Sequence, residues 1–349
     1  LFILWIDEFG YMTYLDYSDV LIKPKLSSVN SRGDTILQRN FNIHGLQFSV
    51  IPIIASNMDG VGTMDMARAM ATQDMMCALT RRDSMDGYHP YNGHVWISIG
   101  SGENEIKRFI DLKRDYDIPF VNIDIANGYI QDLADTVKKI RELYPNQIIM
   151  AGNVATPDGC RRLAYAGADI IKIGIGPGSV CTTRIMTGVG VPQFSAILEC
   201  NEWRKQWENP YFNTADHKPV YLCADGGCTN PGDIVKAFVA GADFVMLGGM
   251  LAGHKEGGAT VENFQTSFYG SASKEAIDKH YENRDSSSAE GKKVTIPFRG
   301  DVKHTLARIE AGIRSAMTYT NSRNIEDLHK AEWIEVRHQV NEVFGRSGF

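Results

Sequence analysis

The sequence predicts an α/β chain closed into a (β/α)8 barrel, with an active-site flap inserted after the eighth strand. Three observations carry this expectation. Short runs rich in Ile and Val, without polar alternation, recur eight times, which is how strands buried on both faces of a parallel sheet read. Segments with apolar residues at spacings of three and four lie between them and suit crossover helices. No long linker separates the units, so a closed barrel is favoured over an open sheet, and 349 residues fit one such domain.

In chain order the strands are expected at 50–56 (VIPIIAS), 77–80 (CALT), 95–99 (VWISI), 120–126 (FVNIDIA), 148–154 (IIMAGNV), 170–175 (IIKIGI), 219–224 (PVYLCA) and 244–248 (FVMLG). Helices are expected over 64–73, 104–116, 131–144 and 158–166. Thr156-Pro157-Asp158 and Asn230-Pro231-Gly232 each set a capping side chain before a proline suited to a first helical turn. Two stretches fall outside the repeat. One is an amino-terminal extension over 1–49. The other runs over 251–301 and contains RDSSSAEGKK (284–293), polar and glycine-bearing as a mobile flap would be.

Composition excludes several classes. With 43% hydrophobic and 22% charged residues and 33 glycines, the chain is no collagen, coiled coil or disordered polymer. A net charge of −6 leaves no global basic field for a nucleic-acid partner, so any phosphate is held locally. The six cysteines form no CxxC pair, which speaks against a disulfide framework or a zinc site and for a reducing compartment. The opening LFILWI is six residues long and is followed by Asp7 and Glu8, a poor signal peptide. No run approaches the ~20 apolar residues that span a bilayer, so no membrane is expected and a cytoplasmic location is.

Chemistry in such a barrel sits where strands end and loops begin. After the sixth strand comes GIGPGSVCTTR (174–184), whose glycines allow close backbone approach and which carries Cys181 as a candidate nucleophile. The other five cysteines are expected to be buried and inert. ADGGC (224–228) and LGGM (247–250) follow the last two strands, where these barrels offer backbone N–H groups to a phosphate. Asp225 is suited to accept from ribose hydroxyls. Asp124 and Asn153 end strands four and five, and Asp124 serves equally as a cap for a helix starting near Tyr129. None of the nine histidines forms an HxxxH or HExxH pair, so metal-dependent hydrolysis finds no support.

The run AGNVATPDGCRRLAYAGADIIKIGIGPGSVCTTRIMTGVGVPQ (151–193), with ADGGC, FVMLGGMLAGHKE, FRGDV and GIRSAMTY, resembles the family of inosine-monophosphate dehydrogenases and guanosine-monophosphate reductases. The resemblance covers 14 to the carboxyl end. It implies a TIM barrel that binds a purine nucleotide monophosphate, and a cysteine that attacks carbon 2 of the purine. The dehydrogenases usually insert CBS modules after the second strand, whereas about fifteen residues separate Thr80 from Val95 here. They also activate water with an Arg-Tyr pair, and this chain contains no Arg-Tyr dipeptide. YLDYSDVLIKPKLSSVNSR (14–32), ASNMDGVGT (55–63) and AEGKKVTIPFRGDV (289–302) are similar to the reductase branch.

That branch implies reductive deamination of GMP to IMP and ammonia with NADPH, in purine salvage. Cys181 would form a covalent thioimidate, and Thr183 and Glu290 would relay protons to the departing amine. The resemblance assigns Asp225, Gly226, Gly227, Gly248, Gly249, Gly270, Ser271 and Ala272 to the nucleotide and Gly291 to its base. Ser31, Arg32, Arg81, Asp124, Ile125, Ala126, Gly174, Gly176, Ser315 and Thr318 fall to the dinucleotide, some from a neighbouring subunit of a homotetramer. Carbonyls of Gly176, Gly178 and Cys181 are implied ligands of a monovalent cation such as potassium.

Three departures from the reductase pattern stand out. Gly270-Ser271-Ala272 replaces Gly-Met-Ser, Arg81 replaces a lysine, and Ser287 replaces an arginine for which Arg284 is a nearby substitute. Two other readings remain open at this level: a dehydrogenase without CBS modules, and a catalytically silent purine-nucleotide-binding barrel, since fold alone implies no activity. Retention of Cys181, Thr183 and Glu290 together favours an enzyme.

Overall fold

The computed structural model describes residues 13–81, 85, 88, 94–209, 218–280 and 289–336. Ser287, Arg284 and the first half of the polar run 284–293 lie outside them. Eight parallel strands close into one barrel: β1 (Ile53–Ala55), β2 (Met76–Ala78), β3 (Val95–Ile99), β4 (Phe120–Asp124), β5 (Ile148–Val154), β6 (Ile170–Ile173), β7 (Tyr221–Asp225) and β8 (Phe244–Leu247). Closure is the pairing of β8 with β1, with Val245 opposite Ile53 and Leu247 opposite Ala55. The outer layer holds α1 (Met64–Ala71), α2 (Glu103–Asp115), α3 (Gln131–Leu143), α4 (Pro157–Ala166), α5 (Gln193–Trp207), α6 (Pro231–Ala240) and α7 (Val302–Tyr319). The expected (β/α)8 architecture is therefore present.

Strands are shorter than their apolar runs for local reasons. Pro52 has no N–H to give the ladder, so β1 starts at Ile53. Thr80 donates its amide to the carbonyl of Gly62 instead of to a strand, so β2 stops at Ala78. Both predicted caps form. Thr156 Oγ1 accepts from the amide of Gly159, and Asn230 Oδ1 from that of Asp233 at 3.2 Å, each satisfying an amide the first turn leaves open. Gly167 and Gly241 then end α4 and α6 at φ of 104° and 109°, in the left-handed region glycine tolerates.

The core has two parts. Between strands and helices lies a continuous apolar layer that includes Phe109, Phe194 and Phe238. Inside the barrel, Trp96, Phe120, Met150, Phe244 and Met246 fill the lumen, as a packed barrel of this size requires. A hairpin of Arg39–Ile43 with Leu46–Val50 closes the floor. Its Phe41 stacks on Phe244 at 4.5 Å between ring centroids, and Phe48 meets Phe120 edge-on at 5.1 Å. With bottom and lumen filled by side chains, the open space is at the other end.

Beyond β8, strands Val261–Glu262, Gln265–Tyr269 and Lys293–Pro297 form an antiparallel sheet. This sheet lies within the segment where the flap was expected, and it delivers residues 289–292 back to the barrel mouth. Among the described residues, no helix is long and apolar enough to cross a membrane.

Candidate active site

The open end of the barrel leads into a cavity of about 610 Å³, a volume suited to a nucleotide-sized ligand. Its wall is made by the ends of the strands and the loops after them. Glycines shape that wall. Gly226 and Gly227 have φ of 91° and 87°, which side chains rarely adopt, and a Cβ at Gly226 would stand 3.0 Å from Pro177. At Gly248 and Gly249 a Cβ would come within 2.8 Å of the Met58 sulfur and the Ser179 hydroxyl. These positions bring main chain, rather than side chain, to the surface of the cavity.

Cys181 is half-buried on this wall, at the end of a loop pinned on both sides. The carbonyl of Gly178 accepts its amide at 3.1 Å, so one carbonyl of the expected cation set already holds a turn. Cys181 also pairs with Gly291 in an isolated antiparallel bridge. The amide of Thr182 donates to the carbonyl of Glu290 at 2.8 Å, and the amide of Glu290 to that of Ala272 at 2.9 Å. Two segments more than a hundred residues apart are thus laced together across the cavity.

That lacing lines up three side chains. Cys181 Sγ lies 3.2 Å from Thr183 Oγ1, and Thr183 donates to Glu290 Oε2 at 2.6 Å. The hydroxyl is the one group of the three that can both donate and accept while standing between the others. A proton therefore has a continuous path from the carboxyl to the space over the sulfur. The remaining cysteines are unlike Cys181. Cys77, Cys160, Cys200 and Cys223 are buried, and burial pushes the thiols of Cys200 and Cys223 upward. Cys228 reaches the cavity wall, but its thiol is pushed well up by burial and then by Asp233.

Asp124 and Asp225 lie at the carboxyl ends of β4 and β7 with a fully buried lysine, Lys172 of β6, between them. Asn57 Nδ2 donates to Asp124 Oδ2 at 2.8 Å, and Asn153 Nδ2 to Asp225 Oδ2 at 2.9 Å. Burial pushes the Asp124 carboxyl up, but Lys172 and then Arg81 outweigh it and hold the group below its ordinary value. Asp124 is accordingly no helix cap: α3 begins at Gln131 with Ile130 at its N-cap position. The Arg81 guanidinium donates to the main-chain carbonyl of Asp124.

The expected site residues fall into two places. Cys181, Thr183, Glu290, Asp225, Asp124, Arg81, Ile125, Ala126, Gly174, Gly176, Gly178, the two glycine pairs and Gly270 through Ala272 all line the cavity, with Gly291 held against Cys181. Ser31, Arg32, Ser315 and Thr318 form a separate cluster where the short turn Arg32–Asp34 of the amino-terminal extension, with Ser31 at its N-cap, meets α7. There Arg32 Nη2 donates to Ser315 Oγ at 3.4 Å and Thr318 Oγ1 to the Ser315 carbonyl at 2.7 Å. Sequence reasoning missed Lys172 and Asn57. The signal for Lys172 was present: it is the single charge in IIKIGI, and a lysine in a run buried on both faces needs partners. Asp16 was also missed, although its carboxylate ties down the cysteine loop by receiving Arg184 Nη1 at 2.9 Å and the Gln193 amide.

Comparison with known proteins bears on this geometry. The model of the IMP dehydrogenase / GMP reductase domain matches residues 91–342. The chain is 42% identical to proteins named GMP reductase from Enterobacter sp. (strain 638), Vibrio campbellii and Klebsiella pneumoniae, over 95% of its own length and 97% of theirs. The matched region holds six of the eight strands, β3 through β8, together with α7; β1 and β2 precede it. On barrel, site and full-length likeness together, this chain belongs to the IMP dehydrogenase / GMP reductase family of oxidoreductases.

Proposed function

We propose that the chain reduces GMP to IMP, releasing ammonia and consuming NADPH, through a thioimidate on Cys181. The observation that carries the reading is the unbroken file Cys181 Sγ, Thr183 Oγ1, Glu290 Oε2 at the cavity wall. The naming of full-length relatives as GMP reductases supports the same substrate.

The chemistry balances as GMP, NADPH and two protons giving IMP, NADP and ammonium. The sulfur of Cys181 bonds to carbon 2, the amine takes a proton through Thr183 from Glu290 and leaves, and carbon 2 then carries sulfur in place of nitrogen. NADPH, when bound, supplies the hydride that replaces that sulfur and frees the thiol. A general acid placed this way contributes roughly 10²- to 10⁴-fold in rate. Glycine-pair amides after β7 and β8 hold the phosphate, and Asp225 accepts from the ribose hydroxyls.

The dinucleotide fits the residues present. From Cys181 the cavity continues past Ile125 and Ala126 to Asp124 and Arg81, giving an apolar wall, a carboxylate for hydroxyls and a cation for phosphate. Ser31, Arg32, Ser315 and Thr318 stand outside that cavity, so their assignment to the same dinucleotide requires a neighbouring subunit, which supports the homotetramer. The carbonyls of Gly176, Gly178 and Cys181 remain the proposed ligands of a monovalent cation, and the cytoplasm, where purine salvage operates, the proposed location. The dehydrogenase alternative is less well supported, because the chain lacks the Arg-Tyr dipeptide for activating water.

The test is an assay of NADPH oxidation with GMP, with product analysis. One IMP and one ammonia per NADPH are expected, with negligible XMP from IMP and NAD. XMP production at a rate comparable to GMP reduction would overturn the assignment.

A further inference from the structure

Among the described residues Lys172 is the largest charged side chain that is fully buried, 1% exposed, and neither the proton file nor the glycine loops account for it. Its ammonium lies 2.6 Å from Asp124 Oδ1 and 3.0 Å from Asp225 Oδ2, with the Met246 sulfur at 3.7 Å. The stem is enclosed too: a Cβ on Gly152 would stand 2.5 Å from the Lys172 Cβ, so β5 gives up a side chain where β6 carries the lysine. A buried ammonium without partners is very costly. Here both partners are carboxylates that the proposed function gives to different ligands, Asp225 to the ribose of GMP and Asp124 to the dinucleotide.

Asp124 is engaged at both oxygens, whereas Asp225 is engaged at one. Asp124 spends one oxygen on Lys172 and the other on Asn57. Asp225 spends Oδ2 on both Lys172 and Asn153, and among the described residues no donor is assigned to its Oδ1. Both side chains stay about a fifth exposed, 18% and 20%, toward the cavity. The lysine thus fixes the orientation of the two acceptors while leaving them a face for ligand.

We propose that Lys172 is a positioning residue that holds Asp124 and Asp225 aimed together into the cavity, so that one buried charge sets the affinity of the site for the substrate ribose and for the coenzyme. The inference rests on the ribose and coenzyme assignments made above. Other charged or titratable groups facing the cluster are few. Arg81 acts on Asp124 from the loop after β2. The Cys223 thiol of β7, pushed up chiefly by burial and then by Asp225, lies on the lumen side. Asn57, Asn153 and Met246 are neutral. Burial pushes the ammonium down, but Asp124 and then Asp225 outweigh it, and the net direction is upward, so Lys172 stays charged throughout the neutral range.

Without that charge, two carboxylates share the mouth with no ammonium between them, and such a pair retains a proton to a higher pH than either would alone. The sign follows. A carboxyl that holds its proton cannot accept from two hydroxyls, so ligand affinity is lost at the acid end and returns as pH rises through the raised value.

The experiment is calorimetric titration of the purified protein with GMP, across about pH 6 to 9, where a carboxylate raised by a like-charged neighbour titrates. The parent should bind with a nearly flat profile. Lys172→Met should bind more weakly at the acid end and improve by up to about tenfold per pH unit. Lys172→Met combined with Asp124→Asn removes one charge of each sign, so GMP affinity should return toward the parent with a flat profile. If Lys172→Met loses its fold and the double variant regains it, the same coupling is reported. Equal, pH-independent weakening in both variants, unaltered binding in Lys172→Met, or loss of the fold in both overturns the inference. Failure of the parent to bind GMP at all would instead remove the functional reading itself.

Discussion

Thr183 is the hinge of the site, because its hydroxyl stands between the side chains of Cys181 and Glu290. Replacing Cys181 by Ala should abolish turnover and leave GMP binding nearly intact, since the glycine loops and Asp225 lie on other strands; Cys77→Ala or Cys160→Ala should turn over close to the parent. Glu290→Gln keeps the shape but cannot exchange a proton readily. Turnover should fall roughly 10²- to 10⁴-fold, the range for one general acid, with little change in GMP affinity. Deamination then becomes slow, so the isotope effect from deuterated NADPH should shrink. An unchanged rate or a larger isotope effect would send the proton by another route. Cys181 was legible in the sequence from its place after a strand-ending glycine loop. The pairing of Thr183 with Glu290 was not legible from periodicity, because 107 residues separate them and only the family resemblance joined them. Lys172 escaped notice because its partners sit on β4 and β7, and their convergence is a property of the closed barrel.

Loops and caps decide whether those residues meet. Gly226 sits at φ 91° with Pro177 close by. Gly226→Ala should therefore cost roughly 1–2 kcal/mol, the penalty of the left-handed region for a residue with a Cβ. It should also weaken GMP binding, which urea denaturation and calorimetry would separate. Asn230 caps α6 and its amide group reaches Asp233 Oδ2 at 2.9 Å. Asn230→Ala should cost about 1 kcal/mol in urea melts without altering the KM for GMP. Both helix starts were readable from three residues each, since a capping side chain followed by proline is a local signal. Strand ends were not: β1 starts after Pro52, which lacks a donor, and β2 stops where Thr80 turns to Gly62, and the latter contact depends on the loop after β1.

For the whole molecule, the closing of the barrel floor matters as much as the open mouth. Asp243, buried just before β8, receives Arg39 of the floor hairpin at 2.7 Å and Arg204 of α5, and its carboxylate accepts the amide of Leu222 at 2.8 Å. Burial pushes this carboxyl up, yet Arg204 and then Arg39 hold it below the ordinary range. Its contribution is therefore full above the unfolded value near 3.9 and is lost as pH falls through the lowered folded value. Asp243→Ala should destabilise the fold by roughly 3–5 kcal/mol, as breaking a buried pair does, and acid unfolding should move to higher pH. The sequence announced the barrel through eight apolar runs, but it left 1–49 outside the repeat. The alternation of Phe41 and Ile43 that marks the floor hairpin is too short to compete with the strand runs around it.

The covalent step on Cys181 can be caught directly. Enzyme turning over GMP and NADPH should be quenched in acid and weighed intact, and the modified peptide identified. A mass increase equal to GMP less ammonia, located on Cys181 and missing from Cys181→Ala, is the result expected. Full turnover with no adduct, or an adduct on any other residue, would contradict the account.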